Sequence, residues 1–450
     1  MTKSPFENLR VIDSTYVFAM PYAGGILGDL GAEVIKVEGP GHLDIVRGGQ
    51  FSGGFPENDP GIDYWNRSAS FNLLNRNKKS LTLDLSKEEC REYLKELISI
   101  SDVMMENYTP RVMRRWGLDY ENIKKIKPDL ILISNTGYGH GDGPFSAYPA
   151  QATTQEATHG HCYITGYNND IPSKAGASYV DFLACWSGLF AVASALRYRN
   201  KTGKGQWIDI GMYQLGVMGT AEYIMDWQSN SNLSGRFGNR HPWRTPQGTY
   251  PCKGIDQWVV LSIGEDSQWN DFCEIMGKPN LSSDDKYATL LSRRANHDEL
   301  DDIIAKWTIQ LNKYEIMELL QSKNIPAGPV FDSADSNLNP HYKETGFIER
   351  VEYPESRNMG TRKIMGRPWR GSKLDARIRR PIEPLGSSNS EILKDLIGMS
   401  DKDFEDFKSQ GFIAEQPTTI QNVSPVSLEE QVNLGRLAYF DPDYKTKLGI

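Results

Sequence analysis

Apolar and polar positions alternate in a regular way over the first two hundred residues. Short apolar runs read as strands: LRVID at 9–13, AEVIKVE at 32–38, LTLDL at 81–85, DVMMEN at 102–107 and LILISNTG at 130–137. The segments between them read as helices: PYAGGILGDLG at 21–31, SKEECREYLKELISI at 86–100, PRVMRRWG at 110–117 and YENIKKIK at 120–127. The second of these is predicted to open on a capping box, Ser86 with Glu89. A long apolar helix is predicted over about 178–198, followed by the turn NKTGKGQ and a strand, QWIDIGM. Strands alternating with helices predict the α/β class, with a parallel sheet covered on both faces.

The pattern changes near residue 230. GTYPCKG and WVVLSIG flank IDQ and read as a hairpin. DSQWNDFCEIMG, DELDDIIAKWTIQL and NKYEIMELLQSK carry helical periodicity, so a smaller α+β domain is expected over 226–335. GFIERVEYP and RKIMGRPWR read as later strands and SEILKDLIGM as a further helix. Beyond Ile413 the chain turns polar and Pro/Ser-containing, which predicts an extended or partner-bound segment.

Composition narrows the function classes. Asp and Glu number 58 against 50 Lys and Arg, a formal charge of −8, so no global basic field exists for nucleic acid. The five cysteines are widely spaced without a CxxC pair, which points to a reducing compartment and no thiolate metal site. MTKSPFENLRVID lacks an apolar leader core, and the longest uncharged run, Phe182 to Arg197, falls short of the roughly 20 residues of a membrane helix. A soluble cytoplasmic protein without membrane or nucleic-acid partners is expected. GGILGDLG lacks the order of a dinucleotide fingerprint, so its glycines read as close helix–strand packing, and a nicotinamide enzyme is disfavoured. His159 and His161 lie close together, but no second ligand pair sits at zinc spacing.

Several stretches occur in a telling order: FNLLNRNKKSLTLDL, DVMMENYTPRVMRRWGLDY, KPDLILISNTGYG, the block around Asp181, LRYRNKTGKGQWIDIGMYQ and GTYPCKGIDQWVV. Together they resemble the class III CoA-transferase family, the superfamily that also holds formyl-CoA transferase, crotonobetainyl-carnitine CoA-transferase and α-methylacyl-CoA racemase. The resemblance spans about residues 7–413. It implies a Rossmann-like large domain built from both chain ends, 1–225 and 336–413, with the smaller α+β domain inserted and an extension at 414–450. It also implies an interlocked dimer, either a homodimer or a heterodimer with a related subunit. Coenzyme A enters as co-substrate, no permanently bound cofactor or metal is implied, and the partners are an acyl-CoA and a small carboxylic acid.

The family pattern puts a catalytic aspartate ahead of an apolar helix ending in R-x-x-TGxGQ, here GASYVDFLACWSGLFAVASALRYRNKTGKGQ, and therefore at Asp181. Asp181 is the sole charge between Lys174 and Arg197. Taken alone, a carboxylate at a helix head is a cap favoured by the helix dipole; within the family pattern it is the nucleophile. A carboxylate is ionised at neutral pH and needs no general base to attack a thioester. By position, the resemblance assigns CoA contacts to Phe18, Ala19, Leu83, Asp84, Ser86, Asn107, Tyr108, Thr109 and Arg115.

The chain also departs from the family. Gly39 and Pro40 follow Glu38 where an acidic loop position is common, Gln151 stands where an acid often precedes the aspartate, and LGSSNS at 385–390 replaces LG-[ED]-H-[TS]. The Gly-His-Asp motif of the racemases is missing, although His140 or His159 could still approach the site in space. Two alternatives to CoA transfer stay open: an acyl-CoA racemase or epimerase, and a CoA-binding subunit of a heteromeric transferase.

Overall fold

The computed structural model describes residues 4–48, 54–141, 143–176 and 179–450. The chain divides into two units. Met1–His159, Gly176–Ala221 and Asn337–Ile450 form one, and Gly160–Ala175 with Glu222–Ser336 form the other. The second unit spans the whole of 226–335 and also takes in 160–175, which sequence pattern alone left with the large domain.

In the first unit, β1 (Arg10–Ser14), β2 (Glu33–Glu38), β3 (Lys78–Thr82), β4 (Val103–Glu106), β5 (Ile131–Thr136) and β6 (Gln206–Gly211) form one sheet. Its order is β3-β2-β1-β4-β5-β6 and every pairing is parallel. This is the doubly wound order, in which the direction of winding reverses between β1 and β4. Side chains alternate across the sheet. Val11, Val34, Val103 and Ile131 join one core, while Ile12, Ile35, Met104 and Leu132 join the core on the opposite face.

Two sequence expectations need correction. The third strand is Lys78–Thr82, not LTLDL, because Lys78 and Ser80 are buried within it and their polar ends find partners inside the protein. The capping box does not form: the helix after β3 begins at Glu88 with Lys87 as its cap, and the Ser86 N–H instead donates to Asp84 Oδ1 at 3.0 Å.

The helices of the first unit include α1 (Ala19–Asp29), α2 (Ala69–Asn75), α3 (Glu88–Ser99), α4 (Pro110–Trp116), α5 (Tyr120–Ile126) and the long α6 (Tyr179–Thr202). The first residue expected in the long helix, Ser178, lies outside the described residues. By length and composition α6 could cross a membrane. Here its inner side, with Cys185, Val192 and Ala195, joins the core shared with α1 and the sheet.

Every residue of α1 is buried. Glycine makes this possible. A Cβ on Gly25 would lie 2.7 Å from the carbonyl oxygen of Leu74 in α2, and one on Gly28 would lie 2.7 Å from Asn77 Cβ. From the other side, a Cβ on Gly188 of α6 would meet the Met20 methyl at 2.9 Å. The glycines are therefore packing residues.

The end of the chain closes the open edge of β3. Ser80 N–H donates to Ser388 Oγ at 3.1 Å, Thr82 N–H to Asn389 Oδ1 at 2.8 Å, and Asp84 N–H to the Phe412 carbonyl at 3.0 Å. LGSSNS thus serves as edge cover, which protects an exposed strand from pairing with another chain. The segment beyond Ile413 continues over the same unit. Thr418 N–H donates to the Pro40 carbonyl, Asn58 donates to the Val426 carbonyl, and Lys445 pairs with Glu57. It also forms two short helices, Leu428–Asn433 and Tyr444–Leu448.

In the second unit, β7 (Gln247–Pro251), β8 (Trp258–Ser262) and β9 (Ala327–Pro329) form an antiparallel sheet. Helices Asp266–Ile275, His297–Thr308 and Lys313–Gln321 supply Trp269, Phe272, Leu300, Ile304 and Ile316 to its core. In the first unit, β10 (Ile348–Glu352) and β11 (Thr361–Met365) pair as an antiparallel hairpin.

Substituting Gly25→Ala tests the packing argument. The clashing atom is backbone and cannot swing away, so the variant is expected to lose about 2 kcal/mol of stability, read as a lower urea midpoint. Gly203→Ala, where a Cβ meets nothing within 4 Å but φ is +72°, should cost less.

Candidate active site

Charged side chains are sealed into the sheet, and their partners include the loops at its carboxyl end. Asp13 on β1, Lys36 on β2 and Lys78 on β3 are all fully buried. Lys78 Nζ reaches Asp13 Oδ2 at 2.5 Å and also donates to the Pro21 carbonyl and Asn75 Oδ1, each at 2.7 Å. Lys36 donates to the Thr15 carbonyl and pairs with Asp44 at 3.3 Å. Glu38, at the end of β2, takes Arg47 in a forked pair at 2.7 Å and the Asp44 N–H at 3.0 Å. Burial pushes the Lys78 ammonium down to about 8 although Asp13 opposes it. Burial also raises the Glu38 carboxyl, but Arg47 overrides that and holds it at about 2.

The sequence-assigned CoA residues fall on the carboxyl ends of three strands. Phe18 caps α1 and Ala19 begins it, just after β1. Leu83, Asp84 and Ser86 follow β3, and Asn107, Tyr108 and Thr109 follow β4. Two of these groups meet. Asn107 exchanges hydrogen bonds with the Tyr16 backbone, and the Tyr108 hydroxyl lies 2.9 Å from Ser14 Oγ. Leu83 has its side chain in the core, and its N–H donates to the Glu38 carbonyl at 2.7 Å. Asp84 accepts the Ser86 N–H. Arg115 is exposed on α4, and among the described residues it makes no ion pair.

Asp181 occupies the first turn of α6 and is half-buried. The next residue, Phe182, meets the Phe18 ring edge-on at 6.4 Å and the Tyr22 ring at 5.9 Å, and Tyr22 in turn meets Trp186 at 6.5 Å. An aromatic wall thus joins the start of α1 to the first turn of α6. His159 is buried with Nε2 3.4 Å from the Tyr179 hydroxyl, near that turn. His140 is held elsewhere, with Nδ1 3.1 Å from Asp209 Oδ1 and Nε2 3.6 Å from Glu106. Gln151 begins the short helix Ala152–Thr158, with its N–H donating to Thr154 Oγ1.

A family model described as CoA-transferase family III matches residues 6–389. The chain belongs to that family. It is 31% identical over 401 residues to the succinyl-CoA–D-citramalate CoA-transferase of Chloroflexus aurantiacus, covering 89% of this chain and 96% of that one. It is 30% identical over 415 residues to the beta subunit of the succinyl-CoA–L-malate CoA-transferase of the same organism, covering 92% and 99%. Among solved structures, a CAIB/BAIF family protein from Brucella suis superposes with a TM-score of 0.78 at 30% identity, covering 88% of this chain and all of that one. The protein is accordingly an enzyme of the class III CoA-transferase type, a class that uses CoA thioesters as co-substrates.

Residue-by-residue assignment overlooked Val17, Lys36, Asp44 and Lys78. Lys36 and Lys78 were detectable in principle: a lysine inside a strand covered on both faces has to be paired. Asp44 and Val17 lie in loops without periodicity.

The Glu38–Arg47 pair sets an acid limit. The carboxyl takes its proton near pH 2 when folded and near 4.5 when unfolded, so within that window the unfolded chain binds more protons and acid destabilises. Glu38→Gln is expected to cost about 3 kcal/mol or more at pH 7 by stranding buried Arg47. The gap between variant and wild type should narrow as pH falls from 4.5 towards 2, measured by denaturant titration at each pH.

Proposed function

We propose that the protein moves CoA from an acyl-CoA donor to a carboxylic acid acceptor, with Asp181 as the nucleophile. The observation that carries the reading is a half-buried carboxylate in the first turn of a long apolar helix, next to an aromatic wall, in a chain of this family. The positive end of the helix dipole favours the ionised form, which is the reactive one.

The Asp181 carboxylate attacks the donor thioester carbonyl and the CoA thiolate leaves, giving a mixed anhydride. The thiolate then attacks the aspartyl carbonyl. The donor acid departs as its carboxylate and an aspartyl-CoA thioester remains. The acceptor carboxylate attacks that thioester and again releases thiolate, which finally attacks the acceptor carbonyl of the new anhydride. Acyl-CoA leaves and the aspartate is restored. Each tetrahedral step gains from backbone N–H donors, each typically worth about 2.7–4 kcal/mol. Exposed Arg115 suits a CoA phosphate, and the backbones after β1, β3 and β4 suit the remainder, since open α/β sheets bind ligands at those ends.

The enzyme works as a dimer, in our reading, with a second copy or a related subunit. Phe182, Leu183, Phe190 and Tyr198 of α6 are exposed, Phe190 to 76%, and large apolar side chains recurring along one helix call for cover. A beta-subunit relative supports the heteromeric variant. A cytoplasmic site agrees with buried Cys90, Cys185, Cys252 and Cys273, none of which is in a disulfide.

Asp181→Ala is expected to abolish exchange and the CoA adduct seen by intact-mass spectrometry when a panel of acyl-CoA donors is paired with a panel of acids. Retained exchange would refute the nucleophile. Wash-in of solvent deuterium at the α-carbon without any acceptor acid would favour the racemase instead. Light scattering on the purified chain should give twice the 50.7 kDa chain mass; a monomer that transfers CoA would overturn the dimer.

A further inference from the structure

The loop between β1 and α1 has a backbone that its own residues do not favour. Val17 sits at φ +72°, in the left-handed region that β-branched side chains rarely adopt. Such a conformation persists only where the surroundings impose it. Two side chains do so. Asn107 Oδ1 accepts the Tyr16 N–H at 2.9 Å, and its Nδ2 donates to the Tyr16 carbonyl at 2.8 Å. Asp44 accepts the Val17 N–H with both oxygens at 3.1 Å, and Asp44 is itself held by buried Lys36. The next residue is Phe18, whose ring lies against Phe182, the neighbour of Asp181.

We propose that Asn107 and Asp44 are positioning residues, a clamp that holds the strained Val17 turn and so sets Phe18 and the head of α1 against the first turn of α6. The proposal rests on Asp181 as nucleophile, since the clamp then fixes where a thioester lies relative to that carboxylate. It also gives Asn107 a role different from direct contact with CoA: its carboxamide oxygen and nitrogen both bond the loop backbone. Released from Asn107, Val17 relaxes towards an extended conformation and carries Phe18 away. With glycine at 17 the left-handed turn costs nothing, so the loop needs the clamp less.

The test uses the full chain with Asn107→Ala, Asn107→Asp and the double variant Asn107→Ala/Val17→Gly. Hydrogen exchange is followed on the peptide spanning residues 14–20, and free CoA is titrated by calorimetry. Asn107→Ala is expected to speed exchange of the Tyr16 and Val17 amides about tenfold, with peptides of β5 and β6 unchanged and the CoA Kd within about twofold of wild type. With any donor that turns over, kcat should fall about tenfold while KM stays level. Asn107→Asp keeps the acceptor but sets a carboxylate oxygen against the Tyr16 carbonyl in place of the donor, so it should be no better than Asn107→Ala. Val17→Gly in the Asn107→Ala background should restore most of kcat, a rescue that a general loss of folding would not show. A Kd for CoA raised about tenfold with loop exchange unchanged would overturn the clamp in favour of direct contact, as would a double variant no better than Asn107→Ala. Failure of the nucleophile reading appears separately, as retained exchange of CoA in Asp181→Ala with Asn107 intact.

Discussion

A lysine sealed inside a parallel sheet must find an anion, and that requirement shapes the carboxyl edge of this fold. Lys78 and Lys36 lie on adjacent strands with no solvent exposure, and Asp13 on the next strand is equally buried. An unpaired charge there would cost several kcal/mol, so the partners are obligatory. Meeting the demand recruits loops as well as strands. Lys36 takes the Thr15 carbonyl, Asp13 takes the Thr15 hydroxyl and N–H, and Asp44 takes the Val17 N–H. The turn from β1 into α1 is therefore tied to β2, to β3 through Asp13, and to the Asp44 loop. A sheet edge that would otherwise be a set of independent loops becomes one braced structure.

Most of the sheet was legible because its strands obey one physical rule: both faces are covered, so they read as near-continuous apolar runs. LRVID, AEVIKVE and LILISNTG each overlap an observed strand. The exception is instructive. β3 starts at Lys78, which hydropathy counts as polar, because the folded protein supplies Asp13 as its counter-ion. Pairing across some sixty residues of sequence is invisible to a local window. The same holds for LGSSNS, which departs from the family pattern and whose Ser388 and Asn389 cover the β3 edge. The capping box failed for a neighbouring reason, since Asp84 competes for the Ser86 N–H two residues before the helix begins.

The candidate site was legible to the level of segments and less so to the level of atoms. Position along the chain put Phe18, Asp84, Asn107 and Asp181 at strand ends and a helix head, where the doubly wound topology gathers ligand contacts. It did not reveal that the side chain of Leu83 is core, or that both ends of the Asn107 carboxamide are taken up by a loop. Such facts depend on backbone conformation, and Val17 shows why. No pattern in TYVFA announces a left-handed valine, because its cause lies in Asp44 and Asn107, far away in the chain.

Rigidity of this kind suits the chemistry proposed for Asp181. The CoA thiolate has to leave a carbonyl, stay within reach and return to a different carbonyl, while the anhydride and thioester are kept from water. A floppy pocket would let the thiolate drift and water enter, and each turnover would end in hydrolysis. The aromatic wall of Phe18, Tyr22, Phe182 and Trp186 supplies apolar surface at the first turn of α6, the turn that carries Asp181. Its alignment depends on α1, which glycine lets settle tightly between α2 and α6, and on the turn that feeds α1 from β1. Buried lysines in the sheet and the aromatic wall at the head of α6 are thus linked through a single turn: the charges brace Thr15 and Val17, the turn leads into Phe18, and Phe18 packs on Phe182.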